Sequence, residues 1–308
     1  MKGKIVVAGS VAYDRINNLS AAFEEKILPD KIHKLNVAFG VRSVKEDFGG
    51  TGGNIAYNLS LLGFKPILLG CVGYDFQKYE EWLNKSNVDI SKLGRFFDCV
   101  TAVANINTDR NNNQITFFFH GSRDVQYCDI LRDVKNVELM IISPDYYPRM
   151  MRYVELCQEL GVSYIFDPGQ AVGSMNRDDL KKAISGSRML ICNEYEYFVI
   201  MREIGGNLKS LLSMTDIFVC TKGSHGSEIA TKDRVFILPC AKVDKVLDPT
   251  GAGDAYRAGF IKGLIEGWDL SRTGRFAGVA SAYAVEQYGT QNHHFSMKEI
   301  KERYKNSY

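Results

Sequence analysis

The sequence predicts an α/β fold, a mainly parallel central sheet with helices on both faces and a small β-sheet lid at one end. Three observations lead there. Short apolar runs recur along the 308 residues, at Lys4–Gly9, Ile67–Val72, Leu139–Ser143, Tyr164–Asp167, Met189–Cys192 and Ile217–Thr221. Most lack period-2 alternation, as strands buried on both faces do. Between them lie stretches with helical spacing, such as Ile55–Leu59–Leu62 and Tyr153–Leu156–Leu160. Strand alternating with helix at this interval implies a parallel sheet covered on both sides. Finally, two segments break the rhythm: residues 34–48 (KLNVAFGVRSVKEDF) and 99–120 (CVTAVANINTDRNNNQITFFFH). Both read as strands without a helix partner, the second as a hairpin around Asp109–Asn113. The expected organisation is one domain over 1–308, its lid built from insertions at about 13–48 and 97–122; ordinary edge strands are the alternative.

Composition narrows the class. Apolar residues make up 45% and charged residues 24%, and 38 Lys and Arg stand against 36 Asp and Glu, a net charge of +2. That balance argues against a dedicated nucleic-acid binder, which carries a clearly basic face. The seven cysteines contain no C-x-x-C pair, so neither a disulfide framework nor a zinc knuckle is indicated. The N-terminal apolar run is too short for a signal peptide and no stretch approaches the length of a membrane span. A cytoplasmic protein with no membrane partner is expected. Glycine is the one excess: 28 residues, about 9% against a typical value of roughly 7%.

The element richest in chemistry is Asp248-Pro-Thr-Gly-Ala-Gly-Asp254, which leads into AYRAGFIKGLIEGW. Ala255, Ala258, Ile261, Ile265 and Trp268 recur at intervals of 3, 3, 4 and 3, the stripe of a helix lying on a core. Pro249 disfavours helix at Asp248, so the helix is expected to begin near Thr250. Its first turn, Gly251-Ala252-Gly253, would leave three backbone N–H groups open to an anion at the positive end of the helix dipole. The plainer reading makes Thr250 an ordinary N-cap. A stability-driven start would carry Glu or Gln three residues after the cap, whereas here that position is Gly253. An acid beside open N–H groups suits phosphoryl transfer, the carboxylate taking the acceptor's proton and the N–H groups stabilising the transferring group. Neither a P-loop nor a dinucleotide-binding fingerprint is present.

With these residues the chain resembles the ribokinase-like, PfkB-type carbohydrate and nucleoside kinases along its whole length. Asp248–Asp254 is similar to that family's C-terminal signature. Gly49-Gly50-Thr51-Gly52-Gly53-Asn54 resembles its glycine-rich substrate motif, and Gly70-Cys-Val-Gly73-Tyr-Asp75 its G-x-V-G-x-D turn. Asn193-Glu194-Tyr195-Glu196 matches N-x-x-E, and Thr221-Lys222-Gly223-Ser224-His225-Gly226 matches the T-x-G-x-x-G nucleotide loop.

The resemblance implies roles. Asp254 would be the catalytic base, with Gly251, Ala252 and Gly253 as the anion hole. Asp14, Gly50 and Asn54 would hold the acceptor's hydroxyls. Asn193 and residues 221–226 would contact ATP, and Glu196 would act through water on Mg2+. Asp248 and Thr250 match positions that hold a monovalent cation, K+ being the candidate, in some relatives.

Within the family the chain looks closest to archaeal and bacterial broad-specificity nucleoside kinases of the adenosine-kinase-like kind, through Cys71–Phe76, Asn112–Phe118, Asp167-Pro-Gly-Gln170 and Asp254–Phe260. Gly169 and Gln170 follow a strand, where open α/β sheets bind ligands. Asp167, Gly169, Gln170 and, on the lid hairpin, Gln114 are the candidates to meet ribose or base, with Phe117 and Phe119 as a stacking face. The expected reaction is transfer of the γ-phosphate of ATP to the 5′-hydroxyl of a nucleoside. A sugar kinase of the same family is the alternative, and a non-catalytic nucleoside or sugar sensor a distant one. Arg257 is read as a phosphate contact or a carboxylate partner, Arg123 as a second phosphate candidate, and His293-His294 as an exposed pair. Exposed lid strands are expected to allow a homodimer.

Overall fold

The computed structural model describes residues 3–111, 113–124 and 126–308. Strands β1 (Lys4–Ala8), β2 (Ala12–Leu19) and β3 (Val41–Gly49) lead into helix α1 (Thr51–Leu61). Strands β4 (Ile67–Leu69) and β5 (Cys71–Val72), helix α2 (Gln77–Lys85) and strands β6 (Gly94–Arg95), β7 (Ala102–Thr108) and β8 (Gln114–Phe119) follow. The second half alternates: β9 (Val137–Ile142), α3 (Tyr147–Leu160), β10 (Tyr164–Phe166), α4 (Arg177–Ile184) and β11 (Met189–Asn193). Next come α5 (Glu194–Ile204), α6 (Leu208–Leu211), β12 (Ile217–Thr221), β13 (Ser227–Ala230) and β14 (Val235–Leu238). Helices α7 (Ala252–Ile265), α8 (Leu270–Val285) and α9 (Met297–Ser307) close the chain.

All six apolar runs are strands. The main sheet has eight strands in the order β14-β13-β12-β11-β10-β9-β1-β4. At one edge β13 pairs antiparallel with both β12 and β14, and the other five pairings of this sheet are parallel. Successive residues of one strand feed opposite faces. Val7, Leu139 and Ile191 pack with α1, α7, α8 and α9, whereas Val6, Met140 and Leu190 pack with α3, α4 and α5. The run at Ile67–Val72 divides at Gly70, where a Cβ would lie 2.8 Å from the Gly9 carbonyl oxygen.

A four-stranded sheet in the order β3-β2-β7-β8 forms the lid. Its strands differ from the expected ones in extent. Residues 34–40 are not strand, because a 3₁₀ turn occupies Pro29–Lys34 and extended pairing starts only at Val41. Asp14, expected just past the first strand, lies inside β2. The hairpin of β7 and β8 forms as expected around Asp109, whose carboxylate accepts from the N–H groups of Asn111 and Asn113; Asn112 lies outside the described residues.

Candidate active site

The carboxyl-terminal ends of the parallel strands and the start of α7 face the lid, and the catalytic candidates gather there. Helix α7 begins at Ala252, two residues later than expected. The Asp248 carboxylate accepts the Thr250 N–H at 2.9 Å and its other oxygen accepts from Gly289 N–H at 3.0 Å. This local turn holds Thr250 out of the helix. Gly251 takes the N-cap position at φ 82°, a left-handed conformation that glycine adopts without strain. The open N–H groups also differ from the expected set. Ala252 N–H turns to the Pro249 carbonyl at 3.3 Å, so Ala252 is withdrawn from it. Among the described residues, the N–H groups of Gly251, Gly253 and Asp254 have no acceptor, and these point out of the helix start.

Asp254 is joined to the glycine-rich segment by one bond: Asn54 Nδ2 donates to Asp254 Oδ2 at 2.8 Å. The glycines make that approach possible. Gly50 stands at φ 81°, and a Cβ on Gly52 would lie 2.7 Å from the Gly9 carbonyl carbon. With Thr51 N–H donating to Ser10 Oγ at 3.0 Å, the start of α1 is pressed onto the loop after β1. Asp14 pairs across the lid sheet with Asp47, and a Cβ on Gly49 would lie 2.3 Å from its carboxylate. Burial, reinforced by the negative charges of Asp254, Asp47 and Asp248, pushes the Asp14 carboxyl up to about 7. Burial also raises Asp254, to about 6, against the pull of Arg257 and of the Asn54 bond.

Three residues expected at the acceptor or the phosphates have other partners. Asp167, at the end of β10, is fully buried and holds Arg257 through both oxygens, Oδ1 accepting from Nη2 at 2.6 Å and Oδ2 from Nε. A buried guanidinium needs a fixed counter-charge, and Asp167 supplies it, so Arg257 takes the carboxylate-partner reading. Gln114 caps the far end of the lid hairpin, donating to Thr108 Oγ1, whereas Asp14 lies level with Ala104 and Phe118. The register therefore keeps Gln114 out of the cluster around Asp254. Gly169 and the exposed Gln170 follow β10, where Gly169 (φ 46°) packs against Pro144. Phe117 and Phe119 are exposed on the edge strand β8, and Arg123 lies over the Tyr146 ring.

The nucleotide candidates line the same end of the sheet. Asn193 and Thr221 are paired neighbours in β11 and β12. Asn193 caps α5 in a reciprocal box: its Oδ1 accepts from Glu196 N–H at 2.8 Å, and Glu196 accepts from Asn193 N–H at 2.8 Å and from Nδ2 at 2.9 Å. Glu196 is only 6% exposed, and burial together with the Asp167 charge raises its carboxyl. Lys222 ties its ammonium to Glu228 at 2.7 Å. Gly223, Ser224 and His225 form an exposed turn closed by Gly226 at φ 86°, where a Cβ would meet the Leu238 carbonyl oxygen at 2.0 Å.

The segment Gly289–His293 packs against the residues of this site through partners that the sequence reading does not name. Thr290 Oγ1 donates to the Phe48 carbonyl at 2.8 Å, and Gln291 donates to Asn54 Oδ1 at 2.9 Å. His293, expected to be exposed, is 1% exposed and bonds Asn58 Oδ1 through Nε2 at 2.8 Å. A polar run after a helix has the composition of a surface loop, and only the tertiary partners on α1 reveal its burial.

Residues 3–295 match the family model described as pfkB family carbohydrate kinase. The nucleoside kinase of Methanocaldococcus jannaschii is 32% identical over 306 residues, 97% of this chain and 96% of that protein. Its crystal structure, described as an archaeal member of the ribokinase family, superposes with a TM-score of 0.87 over 99% of each chain at 31% identity. The Burkholderia thailandensis nucleoside kinase in complex with inosine superposes with a TM-score of 0.89 at 31% identity, covering 99% of this chain and 98% of that one. The same enzyme in complex with ADP-inosine gives 0.86 at 32% identity, over 99% and 96%. The fold is ribokinase-like, and the chain belongs to the pfkB family of carbohydrate kinases.

Proposed function

We propose that this protein is an ATP-dependent kinase that phosphorylates the 5′-hydroxyl of a nucleoside. The observation that carries it is the Asp254 carboxylate, held by Asn54 at the start of α7 beside the unpaired N–H groups of Gly251 and Gly253. The chain bearing this arrangement is 32% identical to a nucleoside kinase over nearly its whole length. A base works best when it titrates just below the operating pH, and Asp254 does so at about 6. Asp254 takes the hydroxyl proton as the oxygen attacks the γ-phosphorus, the bond from that phosphorus to the β,γ-bridging oxygen breaks and ADP leaves, and the N–H groups at the helix start stabilise charge on the transferring phosphoryl. Asp14 and Asn54 orient the ribose hydroxyls, and Gln170 is placed at the sheet end to meet the base.

Asp167, Glu196 and Asp254 surround the single guanidinium of Arg257, an excess of negative charge that fits a divalent cation arriving with the nucleotide. Glu196 and Asn193 would hold Mg2+ through its waters, in keeping with the metal's reluctance to shed them. The bound metal would supply neutralising charge on the phosphates. Among the described residues no helix is long and apolar enough to cross a membrane, and all seven cysteines are free, which supports a cytoplasmic setting. Two copies would pair through the lid, whose edge strand β8 exposes Phe117, Phe118 and Phe119.

An ADP-release assay with a panel of nucleosides beside ribose, fructose and fructose 6-phosphate tests the assignment. Turnover with nucleosides is expected, and turnover with free sugars alone sinks it. Repeating the assay with and without Mg2+, and with K+ replaced by tetramethylammonium, tests the metal and the cation position at Asp248 and Thr250.

A further inference from the structure

We infer that Trp82 and Gln291 are positioning residues that set the direction of the hydrogen bond from Asn54 to Asp254. The inference deepens the kinase reading and rests on it for the role of Asp254. It follows from which groups can only give and which can only take.

The Trp82 indole N–H is a donor with no acceptor capacity, and it reaches Gln291 Oε1 at 2.9 Å. The ring is fixed by stacking on Phe48 and Tyr57, at centroid distances of 5.8 and 5.7 Å. Gln291 must therefore turn its amide nitrogen the other way, where Nε2 meets Asn54 Oδ1 at 2.9 Å and the Tyr79 hydroxyl. Tyr79 spends its own proton on the Gly49 carbonyl at 2.8 Å, so toward Gln291 its oxygen accepts. Asn54 Oδ1 is thereby committed, and only Nδ2 is left to face Asp254 Oδ2. A reversed Asn54 amide would set two donors against each other at Gln291 and two acceptors at Asp254. Gln291 is 2% exposed and Asn54 4%, so water does not compete for these groups. The polarity thus runs from an indole on α2, through a loop more than 200 residues away in sequence, to the base. It keeps Asp254 Oδ2 engaged and leaves Oδ1, which accepts no bond among the described residues, for the acceptor hydroxyl.

Two variants separate this role from packing. Trp82→Phe keeps an aromatic ring in the stack and removes only the donor. Gln291→Glu presents an acceptor where Asn54 Oδ1 now finds a donor, so the Asn54 amide is expected to turn over and withdraw its N–H from Asp254. Loss of a hydrogen bond to a charged group predicts a kcat lower by roughly ten- to a hundredfold for Gln291→Glu, and by a smaller factor for Trp82→Phe. KM for the nucleoside should move less than kcat. In both variants the acid limb of the pH profile should shift to higher pH. Carboxyl-carbon NMR titration of Asp254 gives the same readout without turnover, and its midpoint should rise in both. The wild-type enzyme's turnover of nucleosides tests the kinase reading alone. An Asp254 midpoint unchanged from wild type in folded Trp82→Phe overturns the inference, whatever Gln291→Glu does to stability.

Discussion

At the scale of single residues, the two carboxylates of the site are set apart by what surrounds them. Asp254 is raised to about 6, so it is ionised at neutral pH and protonated below (its activity should fall on the acid side with a midpoint near that value). Asp254→Asn keeps the shape and removes the proposed base, and a loss of general-base catalysis predicts kcat lower by about a hundred- to ten-thousandfold. Nucleoside binding, followed by calorimetry, should persist; near-normal turnover would reassign the base. Asp14 rises further, to about 7 from an ordinary 3.8. Between those values the folded protein holds a proton that the unfolded chain has released, so this residue lowers stability as pH climbs through the window. Asp14→Asn should therefore raise the melting temperature at pH 8, by about 2–4 °C for each kcal/mol relieved, with little change at pH 4. The same variant should weaken acceptor binding, the opposing effect that would keep a carboxylate at this position.

Elements show why some of the site is legible in the sequence and some is not. The six buried strands announce themselves because both faces are apolar, and their parallel arrangement follows from the alternation with helices. The start of α7 is legible in outline, since Pro249 and the glycines mark it. Its register is not, because the Asp248 carboxylate, held from the other side by Gly289, caps Thr250 and delays the helix. Strands β13 and β14 go unread: each is four residues long, and Val235 and Ile237 lie exposed. The pairing of Asp167 with Arg257 joins elements 90 residues apart and leaves no local pattern. The glycine-rich start of α1 is legible as chemistry, and the structure adds the steric reason. Gly52→Ala puts a methyl 2.7 Å from the Gly9 backbone, so α1 must retreat from β1 and carry Asn54 away from Asp254. Overpacking of this kind costs about 1–3 kcal/mol. A lower urea midpoint with a disproportionate loss of kcat is the expected result, and unchanged kcat would show that α1 can shift without cost.

Across the whole molecule, the lid is the part with unfinished surface. All six residues of β8 are exposed, among them Ile115, Phe117, Phe118 and Phe119. An edge strand with unpaired backbone groups and aromatic side chains is a ready surface for a second copy. Sedimentation velocity should find a dimer, and Phe118→Lys should shift it to monomer; a monomeric wild type would end that idea. In the main domain, by contrast, two cations near the proposed nucleotide motifs are paired internally. Lys222 is bound to Glu228, and Arg257 to Asp167, so the cations nearest the nucleotide motifs arrive already neutralised. The unpaired N–H groups at the start of α7 then carry phosphate through backbone dipole, which added ions screen less than mobile cationic side chains. Nucleotide affinity should then vary little with ionic strength: raising KCl from 50 to 300 mM at fixed Mg2+ is expected to change the Kd for ATP by less than about threefold. A steeper dependence would mean that mobile cationic side chains carry the nucleotide instead.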